Sequence, residues 1–145
     1  MNEEQLATFN RAFPNGRKAV KQKESKLHEQ ITNYLLLQYP KVRFISSLTG
    51  EHNSSHIVRA RNSRIQHSPG QPDLLIVEKR NGFSGLALEL KTINANPFKK
   101  NGELRANEHL RQQDEWLTYL RIQGWSAHFA IGFDNAKELI NKYMK

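Results

Sequence analysis

Two short apolar runs, Leu74–Val77 and Leu86–Lys91, stand on either side of Asn81-Gly82, and this arrangement constrains the chain more than any other. Asn and Gly both accept the positive φ that a two-residue hairpin turn requires, so the runs are predicted to pair as an antiparallel hairpin. Pro72-Asp73 opens the first run and Glu89-Leu90-Lys91 closes the second, which carries two carboxylates and a lysine to one end of the hairpin. Strand alternation puts Glu89 and Lys91 on one face and Leu86, Leu88 and Leu90 on the other. Parity adds a condition. Asp73 and Glu89 lie sixteen residues apart, so they oppose each other only if the register centres on Asn81. A plain two-residue turn with unbroken register would pair Leu74 with Glu89 and send Asp73 to the opposite face. An odd-numbered loop or a β-bulge is therefore predicted between the strands.

Around the hairpin the chain alternates helical and extended patterns. Residues 1–23 are polar and basic and read as an arm with at most one short helix, ahead of a folded domain spanning 24–145. From Glu24, Leu27, Ile31, Tyr34 and Leu35 form the stripe of an amphipathic helix that should stop near Pro40. Val42–Ser47 reads as a strand, Ser46–Ser55 as a loop, and Ile57–Gln66 as strand or loop. Asn94–Gly102 reads as a mobile loop. A helix is predicted over 107–122, with Leu110, Leu117 and Leu120 on one stripe and Gly124 to end it. Ala127–Phe133 is a further strand, and Asp134 is the expected N-cap of a last helix carrying Ala136, Leu139, Ile140 and Tyr143. Helices flanking a mixed β-sheet bury these stripes, which defines an α/β class.

Composition narrows the chemistry. Among 145 residues, 22 Lys and Arg against 14 Asp and Glu give a net charge of +8, which favours a polyanionic partner such as nucleic acid. No cysteine is present, which excludes disulfides, thiolate zinc sites and cysteine nucleophiles and makes an intracellular setting the expectation. No apolar run reaches the roughly 20 residues that span a bilayer, so no membrane association is expected.

A hard divalent cation is held by one or two carboxylates with waters and substrate phosphate oxygens, and Asp73 and Glu89 supply that set. Lys91 beside them could orient or deprotonate a water and offset charge building at phosphorus. The reaction implied is phosphodiester hydrolysis with Mg²⁺ or Mn²⁺. The competing account has Asp73 capping a turn after Pro72, with Glu89 and Lys91 a solvated pair. Glu24 extends the apolar stripe and is the preferred third acid, although a favourable charge in the first turn of a helix explains it equally well. Gln113 shares the stripe of Leu110 and Leu117 and needs a partner, whether a water, a catalytic group or a backbone group. Arg59, Arg61, Arg64, Lys99 and Lys100 are candidate phosphate contacts against the alternative of a solvated basic surface. His52 and His56 lack acidic partners and read as loop histidines, His67 reads as surface, and Trp116 and Trp125 read as core.

In these residues the sequence resembles the VRR-Nuc (virus-type replication-repair nuclease) group of the PD-(D/E)XK nuclease superfamily. The resemblance runs from about Glu24 to Tyr143. It rests on the helix ending Leu35-Leu36-Leu37-Gln38-Tyr39-Pro40, the segment Pro69-Gly70-Gln71-Pro72-Asp73-Leu74-Leu75-Ile76, the strand Leu86 to Thr92, and Gln113-Asp114-Glu115-Trp116 with Gly124-Trp125 after it. It implies a restriction-endonuclease-like core, with Asp73, Glu89 and the carbonyl of Leu90 as metal ligands, Lys91 assisting the water, and Gln113 and Glu24 completing the site. It also implies a DNA substrate of branched or structured form, cut by an endonuclease of the junction-resolving type that works as a homodimer. The alternative is a binding module that keeps the fold without catalysis. A basic architectural protein with incidental acids is a further reading.

Overall fold

The computed structural model describes residues 16–47, Ile57, Ala60, Arg61 and 64–145. Helix α1 (Gly16–Gln38) begins eight residues ahead of the amphipathic stripe, inside the segment expected to be an arm. It ends two residues before Pro40, where the pre-proline position disfavours helix. Strand β1 (Phe44–Ser46) follows. The described residues of the next segment, Ile57, Ala60, Arg61 and Arg64, are helical, with the Ile65 N–H donating to the Arg61 carbonyl at 3.2 Å. This corrects the strand-or-loop reading: the alternation of apolar and basic residues was read at period two, whereas spacings of three and four fit the same side chains to a helix.

Strands β2 (Leu74–Ile76) and β3 (Leu86–Lys91) form the expected hairpin. At its tip Arg80 and Phe83 exchange backbone hydrogen bonds around Asn81 (φ 51°) and Gly82 (φ 83°). The strand register, however, runs Leu74 to Leu88, Leu75 to Ala87 and Ile76 to Leu86, centred on Asn81. Residues 77–79 therefore face residues 84–85, one extra residue on the first strand. This is the bulge that parity demanded, and continuing the register by one step sets Asp73 opposite Glu89. Gly85 closes the second side of the bulge. A Cβ there would lie 2.3 Å from the Trp125 ring and 2.7 Å from the Ile76 carbonyl oxygen, so no larger residue fits.

After a 3₁₀ turn (Ile93–Ala95), the segment expected to be a mobile loop is tied down. Pro97 is fully buried, Phe98 packs edge-on against Phe129 at 5.6 Å, and Phe98 bridges to Leu104. Its aromatic and proline side chains carry enough apolar surface to anchor it, which the polar composition around them concealed. Helix α2 (Glu108–Ile122) is capped by Asn107, whose side chain accepts the Leu110 N–H, and Gly124 (φ 91°) follows its last turn. Strand β4 (Ser126–Ile131) lies parallel to β3. It runs directly into helix α3 (Gly132–Met144), whose N-cap is Ile131; Asp134 sits in the first turn instead of capping it. There its charge still complements the helix dipole.

The sheet order is β1-β2-β3-β4, antiparallel except for the last pair. On one face α1 and α3 bury Leu27, Ile31, Leu35, Ala136, Ile140 and Tyr143 against Leu74, Ile76, Leu86 and Leu88. On the other face Leu117 of α2 packs on Ala87, Ala127 and Phe129, flanked by Phe98, Leu104 and Trp125. Each fully buried Leu or Ile contributes roughly 1.5–3 kcal/mol. The architecture is thus α/β, a mixed sheet flanked by helices, with the Asp73 and Lys91 ends of β2 and β3 brought to one edge.

Candidate active site

Asp73 precedes β2 by one residue, directly after the buried Pro72. Its Oδ2 accepts the Leu90 N–H at 2.8 Å, and its carbonyl accepts the Ser47 N–H at 2.9 Å. Glu89 is the fourth residue of β3, and its side chain points to the α2 face, where it is 4% exposed. Its Oε1 accepts from Gln113 Nε2 at 2.5 Å and lies 3.6 Å from Lys91 Nζ. Gln113 itself is buried on α2, and its Nε2 also meets His109 Nε2 at 3.1 Å. One amide group thus donates to a carboxylate and to an imidazole nitrogen.

The electrostatics follow from burial. Removal from water raises the Glu89 carboxyl well above its ordinary range, and the neighbouring Asp73 charge pushes the same way, while Lys91 opposes both. Asp73 is raised by burial and pulled back by the Leu90 N–H and by the charges of His28 and Lys91. Glu89 Oε2 and Gln113 Oε1 are buried without a hydrogen-bond partner. Leaving such acceptors unsatisfied costs about 1–3 kcal/mol each, and more for an ionised group, which a cation or a water between them would relieve. Among the described residues no three His, Asp or Glu side chains converge on one cation position. The donor set is therefore two carboxylates with the adjoining backbone, which suits a hydrated oxygen-seeking dication such as Mg²⁺.

The candidates from sequence are sorted by these distances. Asp73, Glu89, Lys91 and Gln113 come together, with Leu90 bonded to Asp73 through its N–H. Among the described residues no hydrogen bond or ion pair joins Glu24 to them: it is exposed on α1, three residues before the buried Leu27. Glu24 shares the helical phase of Leu27 and Ile31, but phase alone does not bury a residue without a packing partner at its level of the helix. The α1 side chain whose charge bears on Asp73 is His28, which sequence reasoning missed, as it missed His109. His28 stands three and seven residues before Ile31 and Leu35, and His109 four before Gln113. That is the same helical-phase signal that singled out Glu24 and Gln113. Arg61, Arg64, Lys99 and Lys100 are exposed, Lys99 lying 4.0 Å from Glu103. Arg59, His52 and His56 lie outside the described residues. His67 is exposed with its ring edge-on to Trp116 at 6.3 Å.

No family model and no curated protein matches the chain. Among solved structures, the chain is similar to a "VRR_NUC domain protein" at 22% sequence identity and a TM-score of 0.55, covering 83% of this chain and 87% of that one. The likeness shows that the two share a fold, and this fold is the restriction-endonuclease-like α/β core. Among the described residues no helix is long and apolar enough to cross a membrane.

Proposed function

We propose that the chain is a divalent-metal-dependent DNA nuclease of the VRR-Nuc group that hydrolyses phosphodiester bonds, as a structure-selective endonuclease on branched DNA. The observation that carries this reading is the Glu89 carboxylate: buried, opposite Asp73, 3.6 Å from Lys91, with one oxygen unpartnered. An ordinary structural glutamate has no reason to hold that state, because burying a carboxyl against a second acid with an oxygen left unpartnered is costly whether it is ionised or protonated. The fold shared with a VRR_NUC domain protein and the +8 net charge favour the same reading.

Asp73, Glu89 and the carbonyl of Leu90 would hold Mg²⁺ or Mn²⁺, which when bound neutralises phosphate charge and acidifies water. The protein's own groups do the rest. Lys91 orients the attacking water and places positive charge beside the phosphate as its P–O bond to the leaving oxygen breaks. Gln113 fixes Glu89 through its amide N–H and offers its free Oε1 to the same water. The basic residues hold the DNA backbone and position it without reading its sequence. A homodimer, which would allow paired cuts across a junction, belongs to this proposal through the resemblance alone.

Cleavage of end-labelled linear, flapped and four-way-junction DNA in Mg²⁺, Mn²⁺ or EDTA, with wild type and Lys91→Ala, tests the proposal. Metal-dependent cuts that the variant loses, strongest on branched substrate, are expected. Salt-sensitive binding with no cleavage in any metal would replace the nuclease by a binding module of the same fold.

A further inference from the structure

The acid end of the sheet carries a second polar pair that the acid and lysine chemistry leaves unused. His28 lies in the phase of Ile31 and Leu35 on α1, and its Nε2 is hydrogen-bonded to Oγ of Ser46, the last residue of β1. Ser46 stands opposite Leu74, and the N–H of Ser47 donates to the Asp73 carbonyl at 2.9 Å. The pair is thus fastened to the backbone that carries Asp73. Both side chains are only partly buried, so they remain within reach of a ligand at that edge.

Two further points decide what the ligand is. The first is hydrogen-bond arithmetic. If the Ser46 hydroxyl donates to Nε2, the neutral imidazole keeps its N–H on Nδ1; if Nε2 donates to Oγ, the Ser46 hydroxyl keeps its own hydrogen. In either tautomer one hydrogen of the pair is not used in the bond between them. The second is that His28 does not close a cation site with Asp73 and Glu89, since among the described residues no three such groups converge. A pair with a donor to spare, one residue from the backbone bond to Asp73 but not among a cation's ligands, in a chain of net charge +8, suits an anion.

We propose that His28 and Ser46 form a backbone-phosphate contact on the α1 side of the site, donating to an unesterified oxygen of a DNA phosphate next to the one cleaved. The inference rests on the nuclease reading of the same site. In it His28 is a substrate-positioning residue that holds the strand in register with Asp73, and Ser46 sets the orientation of the imidazole.

The test compares wild type, His28→Ala, His28→Gln and Ser46→Ala by three measurements: anisotropy of fluorescein-labelled duplex and junction DNA in EDTA, calorimetric titration with Mn²⁺ alone, and steady-state cleavage. Loss of one such contact is expected to weaken DNA binding and raise KM about tenfold in His28→Ala. In the same variant the loss in DNA affinity and KM should exceed any change in kcat or Mn²⁺ affinity. His28→Gln, which keeps an N–H donor, should recover most of the loss, and thermal melting identifies a variant that fails to fold, in which case the Gln and Ser46 variants decide. Unchanged DNA affinity in folded variants would overturn the inference by reducing the pair to a tie between α1 and β1. A fall in Mn²⁺ affinity larger than the fall in DNA affinity would overturn it by making His28 a metal ligand. Wild-type protein that binds DNA but cuts none in any metal would sink the nuclease reading, while the binding contrast still decides the role of His28.

Discussion

Asp73 and Leu90 are joined by a 2.8 Å hydrogen bond from the strand N–H to the carboxylate, which ties the entry of β2 to the peptide between Glu89 and Lys91. The bond uses Oδ2 and fixes the Asp73 side chain on the side where Glu89 is buried. It also satisfies one acid from the backbone while the other keeps a bare oxygen. The arrangement is asymmetric: Asp73 is partly stabilised as an anion by its own fold, whereas Glu89 relies on Lys91 and the Gln113 amide. Under the nuclease proposal a cation would complete this pair.

Replacing Glu89 should therefore reveal a cost that metal removes. Burial, and then the Asp73 charge, raise the Glu89 carboxyl in the folded chain above its ordinary value of 4.5. A group raised in the folded state contributes stability that is fully present below its unfolded pKa and is lost as pH rises through the folded one. Metal-free wild type should thus lose stability relative to Glu89→Gln as pH increases from about 4.5, leaving the variant the more stable at neutral pH, by several degrees in melting temperature. Adding Mg²⁺ should raise the wild-type melting temperature and leave Glu89→Gln unmoved. Parallel melting curves of the two proteins from pH 4 to 8 in EDTA would refute the assignment.

Gly70 connects the motif segment to α2. Its φ is 96°, and a Cβ there would stand 2.7 Å from the Gln112 carbonyl carbon and 2.9 Å from the Gln113 N. These are helix backbone atoms that cannot step aside. Gly70→Ala should destabilise the fold by about 1–3 kcal/mol through strain and overpacking. It should also lower kcat, because the displaced segment carries Pro72-Asp73 while α2 carries Gln113. Chemical denaturation and single-turnover cleavage check both. A variant as stable and as active as wild type would show that this close approach is dispensable.

The hairpin and its bulge were legible because parity is a discrete constraint: a separation of sixteen from Asp73 to Glu89 admits one family of registers. The helix ending at Gln38 and the helix following Asn107 were legible from Pro40 and from the stripe of Leu110, Leu117 and Leu120. Less legible were the places where local pattern and tertiary demand diverge. Phase placed Glu24 on the apolar stripe, yet it is exposed, because burial depends on what packs against the helix at that level, which no helix sequence encodes. Likewise His28 and His109 become meaningful only through partners distant in sequence, Ser46 18 residues away and Gln113 through its contact with Glu89, 24 residues away. The helical segment around Arg61 was hidden because apolar and basic residues in alternation satisfy period two and, over so short a run, nearly satisfy the helical period as well.

The exposed cations offer a test of the substrate that does not involve the chemistry. Arg61, Arg64 and Lys100 are exposed, and Lys99 shares an exposed ion pair with Glu103 at 4.0 Å, worth roughly 0–1 kcal/mol and easily given up to a phosphate. Each phosphate contact releases condensed counterions, so replacing any one of these residues by Ala should flatten the slope of log affinity against log salt by about one unit. Anisotropy titrations of duplex and junction DNA between low and physiological salt measure it. A slope untouched by all four substitutions would place the DNA on another face.

The final prediction concerns the orientation of Gln113. Its amide nitrogen faces Glu89, because the amide oxygen would be repelled by a carboxylate, and its second N–H is then directed at His109 Nε2, 3.1 Å away. His109 therefore acts at a distance from the chemistry by holding the amide in the orientation that leaves Oε1 unpartnered. His109 is itself exposed, so removing it should cost little stability. His109→Ala should lower kcat about tenfold, as loss of one hydrogen bond supporting a reacting group does, while DNA affinity in EDTA stays constant. His109→Gln can present a carbonyl oxygen to the same N–H and should restore most of the rate. Equal losses in the Ala and Gln variants, or a loss seen in KM alone, would show that His109 contacts the substrate instead of steadying Gln113.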